Sequence, residues 1–231
     1  MNQIHRKYLF SKINVIIIFL VVVITIICYL STIDITFNTY ERWLNRKGLW
    51  INFYNTTLFV GKFIGIILAV YIMGSSFSPN IDSYNVIFLK NRKNRINYFL
   101  SKSLTINSII FLVIILIGLF GIVIISVFSS WFNNFLDLLL LFLNLALLSL
   151  VYGNLSIILT LLFKTQLIVI VPLVLFIMIE VLIEENFINY VLIFIPTINL
   201  DKLSFSTIHL IILIFFYNII NCIIYYNKDL V

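Results

Sequence analysis

Apolar residues in this chain are gathered into long continuous runs, separated by short polar stretches. Six runs have the length of a helix that crosses the hydrocarbon core of a bilayer, which takes about 20 apolar residues. They cover about residues 13–30, 57–77, 104–128, 135–163, 166–183 and 207–226. A transmembrane β-barrel would instead show short segments in which apolar and polar residues alternate. The pattern therefore predicts an all-α integral membrane protein with six transmembrane helices.

A seventh apolar run, residues 187–200, is shorter than the other six and contains Pro196. A run of about 14 residues is too short to cross a bilayer and is typical of re-entrant or interfacial segments. Charged residues flank it, with Glu184 before it and Asp201 after it. We therefore expect 187–200 to be a re-entrant segment on the outer side, before the sixth span. Pro172 lies inside the fifth run and predicts a kink there.

Composition and charge agree with this assignment. Hydrophobic residues make up 62% of the chain and charged residues 10%, whereas a soluble domain carries about 25% charged residues. If both termini are inside, ten of the fifteen Lys and Arg residues, but only two of the nine acids, fall on the cytoplasmic side. Because Lys and Arg concentrate in cytoplasmic loops, we expect a multi-pass protein of the cell membrane with both termini in the cytoplasm. No loop is long enough for a soluble domain, so residues 1–231 form a single transmembrane domain.

The basic stretch 78–102 lies between the second and third spans. Its first half has apolar residues at helical spacing, Tyr84, Ile87 and Phe88, after a single acid, Asp82. This spacing predicts a short amphipathic helix on the cytoplasmic side, over about residues 82–89. The rest of the stretch carries basic residues that hold the loop at the inner leaflet. These are Lys90, Arg92, Lys93, Arg95 and Lys102.

Small residues recur at four-residue intervals on two of the spans. Gly61, Gly65 and Ala69 form such a row on the second span, and Ser149 and Gly153 lie on the fourth. Rows of this kind let two helix backbones approach closely. We therefore expect these five residues to pack helices together, either within one subunit or between two.

Asparagine side chains and one lysine lie in otherwise apolar spans. Asn144 and Asn154 are on the fourth span, and Asn218 and Asn221 are on the sixth. Their amides either bond neighbouring helices together or line a translocation path, and both interpretations stay open. Lys62, near the outer end of the second span, either extends its ammonium to the membrane surface or faces a functional lumen.

The sequence carries no set of residues typical of a catalytic or metal site. It has two histidines, His5 and His209, and it has neither an H-E-x-x-H motif nor a nucleotide-binding loop. Cys28 and Cys222 lie in apolar runs without a neighbouring Cys or His, which indicates core residues rather than ligands or a disulfide. We therefore expect no enzyme activity, no catalytic or metal residues and no cofactor bound by this chain. We also expect no nucleic-acid partner, because the basic residues follow the topology.

The architecture resembles the ABC-2 type permease family, the membrane subunits of ATP-driven exporters. The resemblance rests on a basic N-terminal lead-in, six spans, a longer loop between spans two and three, and a broken apolar segment before span six. Its most specific part runs from Phe88 to Lys102 and reads FLKNRKNRINYFLSK. This is similar to the family's apolar helix, turn and aromatic-apolar run that ends in Lys. Asn80 and Asp82 stand where the family's helix usually begins with Glu, and the turn lacks its usual Pro.

The resemblance implies that the helix between spans two and three docks on a separate ATPase subunit. The residues it assigns to this coupling are Asp82, Tyr84, Ile87, Phe88, Arg92 and Arg95. It also implies a full transporter of two ATPase copies and two permease subunits, identical or homologous, surrounded by membrane lipids. ATP and Mg²⁺ are then used by the partner ATPase and not by this chain.

We therefore expect the permease of a bacterial exporter that moves an amphipathic peptide, or a similar lipophilic substrate, out of the cell. The alternative is a non-transporting membrane protein, such as an immunity or scaffold protein that binds a toxin or a partner helix. An intramembrane enzyme ranks third, because the sequence contains no catalytic set.

Overall fold

The computed structural model describes residues 12–38, 55–78, 92–128, 135–163, 170–182 and 203–227. These residues form helices, numbered here in chain order. They are α1 (Lys12–Asn38), α2 (Asn55–Ser76), α3 (Arg92–Phe128), α4 (Phe135–Phe163), α5 (Val171–Leu182) and α6 (Leu203–Asn227). No strand occurs among the described residues. This part of the chain is therefore all-α, as the apolar runs predict.

Four of the described helices are long and apolar enough to cross a membrane. The qualifying stretches are Asn55–Ser76, Arg95–Val123, Leu138–Phe163 and Ser206–Asn227, and α1 contributes a shorter apolar stretch, Val15–Ser31. Large apolar side chains such as Leu116 on α3 and Phe215 on α6 are exposed on the surface of the bundle. An apolar surface of this kind is stable against lipid tails and not against water. The chain is therefore a membrane protein.

α4 lies at the centre of the bundle. Its apolar stretch is 78% buried inside the chain, whereas that of α6 is 22% buried. α4 packs against α2, α3, α5 and α6, and side chains such as Leu141, Leu148 and Tyr152 are almost fully enclosed. The polar residues between Leu138 and Phe163 on α4 are therefore enclosed by other helices of the same chain.

α2 contains a π-helical turn, Val60–Gly65, ahead of its regular part, Ile66–Ser76. Residues four apart drift around a regular α-helix by about 40° per step, because four residues exceed one turn of 3.6. The wider π turn counteracts this drift, so that Gly61 and Gly65 both face α4. A Cβ added to Gly61 would lie 2.5 Å from Leu145 Cδ1, and one added to Gly65 would lie 2.9 Å from Ser149 Oγ.

α2 and α4 run parallel to each other. Gly61, near the start of α2, lies against Leu145 in the first half of α4. Further along both helices, the Ser156 hydroxyl donates a hydrogen bond to the Val70 carbonyl at 3.0 Å. Along the chain, α3 is the helix between α2 and α4. Because α2 and α4 are parallel, α3 must run in the opposite direction to both.

α4 and α6 are also parallel. The Thr207 hydroxyl near the start of α6 donates to Asn144 Oδ1 in the first half of α4, at 3.1 Å. Towards the ends of the two helices, Asn221 Nδ2 donates to the Asn154 carbonyl, also at 3.1 Å. Consequently the chain between Phe163 and Leu203 returns from one end of the bundle to the other.

α1 and α3 run against the other three long helices. Tyr29 in the second half of α1 lies beside Thr57 at the start of α2 and beside Gly121 in the last part of α3. At the opposite end, Phe99 near the start of α3 contacts Tyr225 near the end of α6. We call this second end the basic end: α1 and α3 begin there, and α2, α4 and α6 end there.

Predicted boundaries and observed helices agree best for the fourth run, where 135–163 coincides with α4. The third span was predicted to begin at residue 104, but α3 begins at Arg92. Its extra turns form because Tyr98 and Phe99 are buried against the rest of the bundle. Arg92 and Arg95 therefore belong to the membrane helix rather than to a turn that precedes it.

Pro172 is the second residue of α5. In the first turn of a helix the missing N–H of proline breaks no hydrogen bond, and its fixed φ suits the helix. The predicted kink would need helix on both sides of Pro172, and residues 164–169 lie outside the described part. Pro172 therefore lies in the first described turn of α5, and the kink stays a prediction.

Several predicted features lie outside the described residues. They are the coupling residues Asp82, Tyr84, Ile87 and Phe88, and the re-entrant segment 187–200. For Arg92 the helical backbone alone is described, and Arg95 is half-buried on the first turns of α3.

Candidate functional site

An aromatic cluster joins α2, α3 and α6 at the basic end. It consists of Phe77 just after α2, Tyr98, Phe99 and Lys102 on α3, and Tyr225 on α6, which together we call the aromatic joint. The ring centroids of Phe77 and Phe99 are 5.3 Å apart, and those of Phe99 and Tyr225 are 5.1 Å apart. Aromatic pairs at such distances add to the stability gained from burial alone. The joint therefore fixes the last turn of α2 relative to α3 and α6.

Lys102 is the charged member of the joint. Its side chain is only 3% exposed, and its Nζ atom lies 4.5 Å from the ring centre of Phe77 and 5.5 Å from that of Tyr98. Tyr98 and Lys102 are four residues apart on α3, which places their side chains on the same face of the helix. A cation over an aromatic face gains about 2 kcal/mol or more when it is desolvated. The two rings therefore compensate part of the cost of burying this ammonium.

The joint lies where the basic segment leaves the bundle. The backbone N–H groups of Phe77 and Ser78 donate to the carbonyls of Gly74 and Ser75, at 3.2 and 3.1 Å, and so close the last turn of α2. Ser78 is fully buried. The segment 79–91, which contains the predicted coupling helix, thus begins beside the joint and ends at the start of α3. A force applied to that segment would reach three helices through the joint.

A second polar site lies between α3, α4 and α6, one to two turns deeper in the bundle. It consists of Ser103 and Asn107 on α3, Asn154 on α4, and Asn218 and Asn221 on α6, which together we call the amide seam. Ser103 Oγ donates to Asn218 Oδ1 at 2.9 Å, and Asn107 Nδ2 donates to Ser103 Oγ at 3.4 Å. Asn221 Nδ2 donates to the Asn154 carbonyl. The seam therefore ties α6 to α3 and to α4.

Three amide oxygens of the seam accept no hydrogen bond from the described residues. They are the Oδ1 atoms of Asn107, Asn154 and Asn221, on side chains that are 9%, 0% and 0% exposed. A buried acceptor left unpaired costs about 1–3 kcal/mol, and a whole protein is stable by only about 5–15 kcal/mol. Each of these three atoms therefore calls for a hydrogen-bond donor.

The four asparagines predicted to line a path all lie at contacts between helices. Asn154, Asn218 and Asn221 belong to the amide seam, and Asn144 accepts its bond from Thr207. Asn144, Asn154 and Asn221 are fully buried. The structure thus shows these amides bonding α4 and α3 to α6, with their polar atoms turned into the bundle.

The residues predicted to pack helices are placed at contacts within the chain. Gly61 and Gly65 face Leu145 and Ser149 of α4, and Ala69 on α2 is fully buried. Gly153 of α4 lies directly against the Met73 thioether of α2. The small residues of α2 and α4 therefore face each other, and the two backbones approach closely along this contact.

A small cavity lies at the end of the bundle opposite the basic end, beside the π turn of α2. Its volume is about 20 Å³, enough for one or two water molecules. Its polar lining comes from Thr25 and Tyr29 of α1 and Thr57 of α2, and the Tyr29 and Thr57 hydroxyls are 3.3 Å apart. Lys62, in the π turn, is half-buried. The cavity is too small to hold an organic substrate.

Cys28 and Cys222 are not joined in a disulfide and are half-buried, and His209 on α6 is also half-buried. No group of His, Cys, Asp and Glu that could hold a metal ion occurs within the described ranges.

Sequence reasoning missed the aromatic joint and two of the five residues of the amide seam. Lys102 was counted as a surface charge, although the four-residue spacing from Tyr98 was a signal for a shared face. Ser103 and Asn107 have the same spacing on the next face of α3. The contacts of Lys102 with Phe77 and of Ser103 with Asn218 join residues far apart in the chain, and no local pattern reveals them.

Comparison with known proteins adds no relative. No family model matches the chain, and a search of curated proteins finds no match. Its function must therefore be argued from its own residues and their arrangement.

Proposed function

We propose that this chain is the membrane subunit of an ATP-driven exporter of the ABC-2 permease type. In this proposal two copies of a separate ATPase bind and hydrolyse ATP with Mg²⁺, and two permease subunits form the route through the membrane. The substrate is an amphipathic peptide or a similarly lipophilic molecule leaving the cell. The chain itself carries out no chemical reaction.

The aromatic joint is the observation that carries the proposal. A permease driven by a separate ATPase needs a segment that receives the ATPase and a stiff connection from that segment to the membrane helices. The segment 79–91 begins beside Phe77 and ends at Arg92, and its two flanks are held together by Phe99, Lys102 and Tyr225. Movement of a docked partner would therefore shift α2, α3 and α6 together.

The direction of the helices supports the six-span topology that the proposal requires. Because α4 and α6 are parallel, the chain from 164 to 202 makes a net single return across the bundle. This stretch contains two apolar runs, 166–183 and 187–200. If both crossed, α6 would run antiparallel to α4. We therefore propose that the run containing α5 crosses and that 187–200 stays on the outer side, which leaves both termini in the cytoplasm.

Close packing inside the bundle favours a route formed between two subunits. α4 is largely enclosed by its neighbours, and its serine and threonine hydroxyls and asparagine NH₂ groups donate hydrogen bonds within the chain. In the proposed exporter, Asn144, Asn154, Asn218 and Asn221 would meet substrate only when α6 parts from α4.

Docking of the ATPase can be tested by changing the apolar face of the predicted coupling helix. Ile87→Ser together with Phe88→Ser removes two anchors that would fill a groove on the partner and keeps every charge. We expect normal membrane insertion, but loss of co-purification with the ATPase expressed beside it and loss of export.

The converse variant, Lys90→Gln with Lys93→Gln, serves as the control. It removes charges worth about 1 kcal/mol each at the inner leaflet and keeps the apolar face, so ATPase binding should persist. Normal ATPase binding by the Ile87→Ser/Phe88→Ser variant would refute the coupling role of this face.

The exposed surface of α6 favours a second candidate, a non-transporting immunity or scaffold protein. Ile208, Ile212, Phe215 and Ile219 form an exposed apolar stripe along α6, and such a stripe can pack against a partner helix as well as against lipid. Under this candidate no ATPase co-purifies with the wild-type chain, and a partner helix cross-links to α6.

A further inference from the structure

We propose that the amide seam is a binding site for buried water that bridges α3, α4 and α6. The proposal rests on the three Oδ1 atoms named above and not on the exporter assignment. The neighbouring hydrogen bonds fix the orientation of each amide. In each case the NH₂ group has a partner, and the oxygen is the atom for which the described residues provide none.

On α3 and α6 the orientation follows step by step. Asn218 Nδ2 donates to the Ile214 carbonyl at 2.8 Å, so its Oδ1 must be the atom that faces Ser103. The Ser103 hydroxyl therefore gives its only proton to Asn218, and its oxygen accepts from Asn107 Nδ2. A flipped Asn107 would set two acceptors against each other. Asn107 Oδ1 therefore needs a hydrogen-bond donor other than Ser103.

On α4 and α6 backbone carbonyls fix the orientation in the same way. Asn154 Nδ2 donates to the Leu150 carbonyl at 2.8 Å, and Asn221 Nδ2 donates to the Asn154 carbonyl at 3.1 Å. Turning either amide over would bring its oxygen against a carbonyl oxygen. The Oδ1 atoms of Asn154 and Asn221 thus point to the other side of their amides, where the described residues provide no donor.

The three unmatched atoms of this site are all hydrogen-bond acceptors, so the site favours hydrogen-bond donors and disfavours anions. The ammonium of Lys102, on the residue next to Ser103, disfavours a cation nearby because like charges repel strongly in a low dielectric. A small neutral donor fits best. Water is the donor that buried polar groups most often recruit, typically making about three hydrogen bonds.

Thermal unfolding in detergent micelles tests the proposal, because the two possibilities change the melting temperature in opposite directions. Asn154→Leu replaces the amide by an apolar side chain of similar shape. If water bridges Oδ1 to another helix, the melting temperature should fall by about 2–4 °C, the shift expected for one hydrogen bond in a chain of this length. If the oxygen lies dry and unpaired, its removal should instead raise the melting temperature. An unchanged or higher melting temperature would overturn the proposal.

Asn144→Leu is the matched control. Asn144 lies on the same helix and is equally buried, but its Oδ1 is bonded directly to Thr207. The melting temperature of the Asn144→Leu variant must therefore fall in either case. Asn107→Leu provides a second test of an unmatched oxygen at the edge of the seam, should Asn154→Leu fail to fold. An experimental density map of the wild-type chain at a resolution that shows ordered solvent gives the direct answer. We expect a water peak within hydrogen-bond distance of Asn154 Oδ1 or Asn221 Oδ1, and a seam closed by protein atoms alone would contradict the proposal.

Discussion

The ammonium of Lys102 lies 4.5 Å from the centre of the Phe77 ring, at the point where α2 ends and the segment 79–91 begins. This contact joins two helices that the segment connects in sequence. It also shields a charge in an otherwise apolar part of the bundle. The pair therefore stabilises the region on which an external partner is proposed to act.

A double-mutant cycle should reveal coupling between these two residues. Phe77→Leu keeps an apolar side chain but removes the ring, and Lys102→Met keeps the stem but removes the charge. We expect the two changes to be non-additive in the free energy of unfolding by about 0.5–2 kcal/mol. Additivity within about 0.3 kcal/mol in denaturant titrations would show that the ring does not stabilise the ammonium. Lys102→Arg, which keeps a cation, should behave more like the wild type than Lys102→Met.

Close packing between α2 and α4 predicts a rescue experiment at Gly65. A Cβ at this position would lie 2.9 Å from Ser149 Oγ, so Gly65→Ala should cost about 1–3 kcal/mol through overpacking. Ser149→Ala removes the obstructing atom together with a bond that stays within α4. The double variant should therefore recover most of the lost stability.

Two outcomes at this contact can be told apart by thermal unfolding. If the stability lost in the double variant equals the sum of the losses in the two single variants, the added methyl group at position 65 clashes with a residue other than Ser149. Gly153→Ala is the comparison: its Cβ would meet the Met73 thioether, which is flexible and can move aside. We expect Gly153→Ala to be tolerated better than Gly65→Ala.

Hydroxyl groups on α4 should contribute differently to stability, depending on whether they bond to another helix or within α4. Ser156 donates to the Val70 carbonyl on α2, whereas Thr160 donates to the Ser156 carbonyl within α4. Interhelical bonds in membrane proteins contribute about 0.6 kcal/mol on average, and up to about 1.7. Ser156→Ala should therefore lower stability by this amount, while Thr160→Val should change it little. Equal losses in denaturant titrations would show that the bond to α2 has no special role.

The sequence was sufficient to predict an all-α membrane protein, because long apolar runs have few alternatives in a bilayer. Four of the six predicted spans fall on helices long and apolar enough to cross a membrane. The run 135–163 coincides with α4, and the small residues Gly61 and Gly65 do face another helix. The start of α3 at Arg92 was missed because charges end an apolar run but need not end a helix. Tyr98 and Phe99 extend α3 through tertiary packing, which overrides the local composition.

Contacts between distant parts of the chain could not be read from the sequence. The π turn in α2 lies where Gly61 meets Leu145 on α4, and Lys102 is buried against the ring of Phe77 from another helix. Asparagines 154 and 221 were recognised as unusual, but which amide atoms find partners is decided by helix direction and register. Such features follow from the packing of whole helices rather than from spacing along one of them.

Membrane topology is the measurement that tests the central claim most directly, since an ATPase can dock on 79–91 only from the cytoplasm. Cys28→Ser and Cys222→Ser give a background without thiols, into which single cysteines are introduced as Ser83→Cys, Asn186→Cys and Asp201→Cys. With a membrane-impermeant maleimide, we expect the cysteines at positions 186 and 201 to be labelled in intact cells and the one at position 83 only after permeabilisation. Labelling of position 83 in intact cells, or labelling of positions 186 and 201 from opposite sides, would contradict the six-span exporter.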